Sequence, residues 1–292
     1  MRLNLLSKRS VHALLPEMKT FVPPAILLLL QFFPFSVSAQ APSETPPQIS
    51  YGNNPAAGRF IHVNDIDIYC EIYGKGEPLL LIHGDGGSIA SMENQIPYFA
   101  KNYEVIAADS RSQGKTQDPS DFLSYDMMAD DCDALMDSLH LKSAFVIGWS
   151  DGGIVGLLLA IKHPEKVKKL AVTGANIRSD STAFSDDVIQ DMHKGLARLE
   201  TQKQDAATKN KIKLTRMMIR EPNITHKELG SVQCPVLVIG GDYDVIKPEH
   251  TLEIFHAIPH ANLWILPGSG HDTLISYKDD FNQQVGRFFE QK

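Results

Sequence analysis

The chain has 292 residues, 43% of them hydrophobic and 22% charged, and a formal net charge of −7. A chain of this length and balance accommodates one globular domain of about 200–250 residues and a short extension. An acidic chain without a basic cluster is excluded as a nucleic-acid or anionic-lipid binder, and no repeat, phosphate-binding loop or dinucleotide fingerprint is present.

The first predicted element is an address rather than fold. Val22 to Val37 is apolar apart from Gln31 and Ser36, Lys19 precedes it, and Val37-Ser38-Ala39 closes it with a small-x-small site. This predicts a secretory signal peptide over residues 1–39, cleaved after Ala39. Arg2, Lys8 and Arg9 lie far upstream, so translation from Met18 is an alternative start. The apolar run is short for a membrane span, so no stable membrane insertion is expected after cleavage, and the protein is expected to be exported, periplasmic or secreted. Losing Arg2, Lys8, Arg9, Lys19 and Glu17 with the leader takes the charge from −7 to −10. Residues 40–57, rich in Pro, Ser, Asn and Gln, predict a flexible tether.

Alternation of polar and apolar residues from Arg59 to Tyr73 predicts an antiparallel hairpin. Strands follow near 78–83, 104–108, 144–149, 168–173, 235–240 and 262–266. Helical spacing separates most of them, near 89–101, 124–140, 152–163, 248–257 and 278–290. Near-continuous apolar strands alternating with helices predict a mostly parallel sheet covered on both faces, an α/β fold. The alternation fails over 177–230. Val188, Met192, Leu196 and Leu199 have helical spacing, as do Leu214, Met217 and Met218, and Thr225 with Glu228 forms a capping-box pattern. A small helical cap is expected there, with the core over 58–176 and 231–292. Of its apolar residues, Met217, Met218, Met192 and Phe184 are the candidates for a substrate pocket. The alternative is that they pack the cap onto the core.

Four stretches carry the chemistry. The apolar run 144–147 meets Gly148-Trp149-Ser150-Asp151-Gly152 and then a helical pattern, the strand-turn-helix setting of a serine nucleophile. Alone the motif is weak, since with glycine near 7% it occurs by chance in roughly one chain in ten of this length. A second strand, 235–239, ends in Gly240-Gly241 and delivers Asp242 and Asp244. Acids just beyond strand ends are placed for function, and Asp242 is the better turn former. A third, 262–266, leads into Gly268-Ser269-Gly270-His271, where a histidine flanked by glycine can serve as general base. A fourth, 78–82, leads into His83-Gly84-Asp85-Gly86-Gly87, whose glycines let backbone approach a substrate. The expected oxyanion donors are the N–H groups of Asp85 and of Asp151, and His83 is expected to brace the loop.

In the order Ser150, Asp244, His271, these motifs resemble the α/β-hydrolase fold family over about residues 58–290. The family's Gly-x-x-Asp pattern implies Asp244 as the triad acid, three residues after Gly241. Gly148-Trp149-Ser150-Asp151-Gly152-Gly153, with Gly174-Ala175-Asn176 after the next strand, is similar to the valacyclovir hydrolase type of amino-acid ester hydrolase. The resemblance implies a serine hydrolase of small carboxylic esters, with no cofactor or metal. It supports the reading that the Asp151 and Asp85 carboxylates attract a substrate amine; the alternative is that both side chains point away, since only their N–H groups are required. Trp149 and, from the cap, Met217 are further candidates for substrate contact. The serine argues against the family's aspartate-dependent dehalogenases and epoxide hydrolases. Other chemistries on the same triad (C–C hydrolysis, proline aminopeptidase action, perhydrolysis) and a slow binding role remain as alternatives. One loop departs from the family's Asp-x-Arg-Gly-x-Gly-x-Ser: Asp109-Ser110-Arg111-Ser112-Gln113-Gly114-Lys115-Thr116 puts serine for the first glycine and threonine for the last serine. Cys70, Cys132 and Cys234 read as small apolar filler and show no zinc spacing.

Overall fold

The computed structural model describes residues 49–291. The predicted signal peptide and residues 40–48 of the predicted tether lie outside the described residues.

Eight strands form one sheet in the order β1-β2-β4-β3-β5-β6-β7-β8. β1 (Gly58–Val63) and β2 (Ile66–Gly74) form the expected hairpin, with Asn64 in the left-handed region (φ 49°) at the turn. β2 also runs antiparallel to β4 (Tyr103–Ala108). β3 (Glu77–Ile82), β5 (Ala144–Trp149), β6 (Val167–Thr173), β7 (Val236–Gly241) and β8 (Ala261–Leu266) are parallel to their neighbours. The central strands are buried along nearly their whole length because both faces are covered, which is why they read as apolar runs rather than alternations.

The helices are α1 (Ile96–Phe99), α2 (Tyr125–Ser138), α3 (Asp151–Lys162), α4 (Asp186–Glu200), α5 (Ala206–Arg220), α6 (His226–Leu229), α7 (Pro248–Ala257), α8 (Thr273–Ser276) and α9 (Lys278–Glu290). Residues of α2, α3 and α7 pack on one face with Leu80, Val146, Val172 and Val238. Phe281, Val285, Phe288 and Phe289 of α9 join Phe99 of α1 on the other, against Leu79, Leu81 and Ile147. No helix of the described residues is long and apolar enough to cross a membrane. The three cysteines are unbridged.

Two expectations fail locally. The helix predicted over 89–101 breaks into a 3₁₀ turn at Ile89–Met92 and the one-turn α1. Pro97 lacks the N–H a continuous helix would need and crowds the carbonyl four residues earlier. Residues 51–57 are not a tether but fold back onto the sheet. The amides of Gly52 and Asn54 donate to the Glu71 carboxylate, both at 2.8 Å, and the hydroxyls of Tyr69 and Tyr73 donate to it at 2.9 and 2.7 Å. Glu71 is wholly buried, and a buried carboxylate needs such donors.

Between β6 and β7 the chain makes α4, α5 and α6 and no regular strand. Side-chain oxygens of Ser185, Asp205 and Thr225 cap them, and Thr225 with Glu228 closes the predicted capping box. The chain leaving β6 and the chain returning meet at an isolated antiparallel bridge, Arg178 to Asn223.

Candidate active site

The loops after β3, β5, β7 and β8 all leave the carboxyl edge of the sheet. The crevice lies where strand order reverses, between β3 and β5, the place where open α/β sheets bind ligands.

Ser150 stands at the end of β5 as the residue before α3, with φ 55° and ψ −120°. A non-glycine residue held there stores strain of about 1–3 kcal/mol. The flanking glycines make the turn possible: a Cβ on Gly148 would lie 2.2 Å from the Gly152 carbonyl oxygen, and one on Gly152 would lie 2.1 Å from that of Ile82. The Ser150 amide donates to Thr173 O at 2.8 Å, and the Ser150 carbonyl accepts from Gly153 and Ile154. The nucleophile loop is thereby tied to β6 and to the first turn of α3.

The structure brings the three dispersed residues together. His271 Nε2 lies 2.8 Å from Ser150 Oγ, and His271 Nδ1 lies 2.7 Å from Asp244 Oδ1. Asp244 is buried and an ionised carboxylate only accepts, so Nδ1 carries the proton and Nε2 accepts from the serine hydroxyl. The Ile246 amide also donates to Asp244 Oδ1, at 3.0 Å. Asp242 instead accepts from the Gly268 amide at 2.7 Å and staples the β7 loop to the β8 loop.

The loop after β3 abuts the serine: a Cβ on Gly84 would lie 3.0 Å from Ser150 Cβ and 3.7 Å from its Oγ. His83 is buried under it. The Ser110 amide donates to His83 Nε2 at 3.0 Å, which leaves Nδ1 to donate to Gly84 O at 2.7 Å. Burial holds the imidazole below its ordinary proton affinity, against the opposite pull of the Gly84 bond and Asp109. The Gly84 carbonyl and the Asp85 N–H belong to one planar trans peptide and point in opposite directions. Fixing the carbonyl on His83 therefore fixes the direction of the Asp85 N–H. The Asp151 N–H lies at the first position of α3, where the helix supplies no acceptor.

Asp151 is 5% exposed. Its Oδ1 accepts from the Tyr125 hydroxyl at 2.9 Å, while its Oδ2 is buried without a hydrogen-bond partner. Burial, then the charge of Asp85, push its carboxyl up to about 8, while the Tyr125 bond pulls the other way. Asp85 stands exposed on the facing loop, yet enough protein surrounds its carboxyl to raise it too.

Two residues expected near the substrate are placed as follows. Met217 is 0% exposed and belongs to the core beneath α5. It shares that core with Tyr125, Leu214 and Ile224. Trp149 turns its indole toward the histidine loop, where Nε1 donates to His271 O at 2.8 Å. The bond braces the His271 loop, and the two rings lie with centroids 6.2 Å apart.

Sequence reasoning missed Tyr125 and understated Gly174. Tyr125 begins α2, and nothing local ties it to a residue 26 positions away. Gly174 has φ 64°, and a Cβ there would lie 2.8 Å from His271 Cε1 and 2.9 Å from Nδ1. Its sequence signals are its place directly after β6 and the Gly174-Ala175-Asn176 resemblance, and neither points to the histidine.

Away from the crevice, Asp133, His163 and Glu165 place ligand atoms within 4.8 Å of one another. His163 already faces Asp130 and Asp133 at 3.1 and 3.4 Å, and Lys166 lies 3.4 Å from Asp133. These charges pair with each other.

The sheet topology and the strained serine at its switch point define an α/β-hydrolase architecture. The chain belongs to the α/β-hydrolase fold family, whose sequence model matches residues 77–231. It is similar to the human (Homo sapiens) protein named serine hydrolase BPHL, 26% identical over 268 residues, covering 84% of this chain and 90% of that one. A 2-hydroxymuconate semialdehyde hydrolase of Pseudomonas sp. strain CF600 is 35% identical over 127 residues, 42% of this chain and 45% of that one. Among solved structures, a bromoperoxidase from Bacillus anthracis superposes with a TM-score of 0.71 at 23% identity, covering 80% of this chain and 100% of that one. That last likeness concerns the fold alone.

Proposed function

We propose that the protein is a serine hydrolase of small carboxylic esters that favours esters bearing an amine. The observation that carries the first part is the unbroken chain from Asp244 through His271 to Ser150, at 2.7 and 2.8 Å. His271 Nε2 takes the hydroxyl proton as Ser150 Oγ attacks the ester carbonyl. The Asp85 and Asp151 amides receive the oxyanion, each worth roughly 3 kcal/mol of barrier. As the tetrahedral intermediate collapses, His271 returns its proton to the leaving alcohol. Water activated by the same nitrogen then hydrolyses the acyl-enzyme, and Asp244 stabilises the imidazolium at each stage.

The amine preference rests on Asp151. Asp151 follows the serine directly in the chain and its carboxyl keeps one buried oxygen without a donor, and Asp85 on the facing loop adds a second acidic group. An ammonium at about 4 Å gains roughly 4 kcal/mol at an effective dielectric of 20, before desolvation. Because Oδ2 is sealed from bulk water, a covering side chain must shift as the substrate enters.

The test is steady-state hydrolysis of an aminoacyl ester beside its des-amino twin, with Ser150→Ala as the blank. Faster turnover of the amine, absent in the blank, supports the reading; equal rates reduce it to a general esterase. The partial likeness to 2-hydroxymuconate semialdehyde hydrolase favours a second reading, C–C hydrolysis on the same triad. Turnover of a vinylogous diketo acid with neither ester touched would select it.

A further inference from the structure

We propose that Tyr125 is a positioning residue for substrate selection, its hydroxyl holding Asp151 so that one carboxylate oxygen stays available to a substrate ammonium. The inference rests on the amine reading above and adds the residue that makes it work.

Tyr125 is held on every side. It opens α2, which Ser124 caps by accepting from the Met127 amide at 3.1 Å. Its own amide donates to Glu221 Oε2, at the end of α5, at 3.1 Å. Its ring is 2% exposed and sits in the core with Leu123, Met128 and Met217. A ring fixed by its helix, its packing and its backbone bond delivers the hydroxyl to one point, 2.9 Å from Asp151 Oδ1.

Carboxyl groups approach this hydroxyl from three elements: Asp151 on α3, Asp85 on the loop after β3, and Glu221 at the end of α5. Burial and these charges raise the phenol far above its ordinary range. It therefore keeps its proton and serves as a permanent donor. A carboxylate with one oxygen satisfied by a neutral donor has one oxygen left for a cation. Without that donor the buried carboxyl would hold its proton to still higher pH, and a carboxylic acid presents an O–H to the site instead of an acceptor. Tyr125 thus raises the share of Asp151 that meets the substrate as an acceptor. It touches no reacting atom, and Ser150, His271 and Asp244 make no hydrogen bond to it.

The experiment compares wild type, Tyr125→Phe and Asp151→Asn on an aminoacyl ester and its des-amino twin. It also follows the Asp151 carboxyl by ¹³C NMR titration. Tyr125→Phe is expected to raise KM for the aminoacyl ester about tenfold and to leave kcat and both constants for the des-amino ester near wild type. The Asp151 titration should move upward by about one unit, the same factor of ten in the ionised fraction. Should Tyr125→Phe fail to fold, 3-fluorotyrosine at position 125, a stronger donor of almost the same shape, is expected to move the titration downward and sharpen the preference. If Asp151→Asn loses the preference while Tyr125→Phe, or the fluorotyrosine, changes neither KM nor titration, the role of Tyr125 is overturned and the amine reading stands. If Asp151→Asn keeps the preference, both fall together.

Discussion

Gly174 lies against the His271 imidazole so closely that one methyl group there would sit 2.8 Å from Cε1. The same residue is in the left-handed region, with φ 64°, so alanine would be strained even with room to spare. Gly174→Ala is expected to push the imidazole off the serine and lower kcat by about 100-fold, the cost of a displacement near 1 Å. KM should change far less, because the substrate-facing loop after β3 is untouched. Steady-state kinetics beside a far-ultraviolet spectrum checks this: a folded variant with wild-type kcat would contradict it.

Ser150 trades stability for the turn that brings its hydroxyl to His271. Glycine tolerates φ 55° and alanine does not, so the two inactive variants should separate in thermal melts. Ser150→Gly is expected to melt above Ser150→Ala by roughly 2–4 °C, the shift that about 1 kcal/mol of relieved strain gives a domain of this size. Equal melting temperatures would mean that the turn is not strained.

The Asp151 carboxyl, raised to about 8, would make the proposed amine preference depend on pH. Below that value the group is largely protonated and neutral; as pH rises through it the carboxylate forms and can bind a cation. The ratio of kcat/KM for an aminoacyl ester to that for its des-amino twin should climb from pH 6 toward about pH 8. It should fall again as the substrate amine, with its own value near 8, loses its proton. Any pH dependence shared by both substrates cancels in the ratio. A flat ratio in wild type, or a climb that persists in Asp151→Asn, contradicts this.

Glu253 on α7 ties both crossings between the sheet and α4–α6. Arg178 Nη2, where the chain leaves β6, donates to its two oxygens at 2.7 and 2.6 Å, and His226 Nε2, where it returns, lies 2.5 Å away. Burial raises the Glu253 carboxyl, but the bonds from Arg178 and His226 outweigh it and hold the group below its ordinary 4.5. A lowered value in the folded state means stabilisation that is complete above that ordinary value and lost as pH falls through the folded one. Protection factors of α4–α6 amides, measured against the intrinsic exchange rate at each pH, should fall in acid before those of β5 and β6. Glu253→Gln should reproduce the effect at pH 7, costing about 2 kcal/mol of local protection. Uniform exchange across cap and sheet would refute a local clamp.

The Ser150–His271–Asp244 arrangement is legible in the sequence because each member sits just beyond an apolar strand and within three residues of a glycine. Strand ends in a parallel sheet converge on one edge, so Ser150, Asp244 and His271 meet although 121 residues separate the first from the last. The altered loop was also readable as structural. Thr116 Oγ1 donates to Asp109 O and accepts from the Tyr69 amide, as a serine would, while Ser112 takes φ 66° where the family has glycine. What stayed hidden depends on tertiary contact alone. Tyr125 looks like any aromatic at a helix start until α2 and α3 pack together. Met217 and Trp149 show only that they are apolar and near the motifs, and which way each side chain turns is decided by packing. Pro97 was a local signal that periodicity overrode.

The central claim is that Ser150 carries the acyl group. Mixing the protein with an activated p-nitrophenyl ester, quenching in acid and measuring intact mass tests it directly. The account predicts one acyl adduct per chain, located by peptide mapping on Ser150, absent from Ser150→Ala and discharged by water on standing. An adduct that persists in Ser150→Ala, or p-nitrophenol released by wild type at the rate of the blank with no adduct formed, would contradict it.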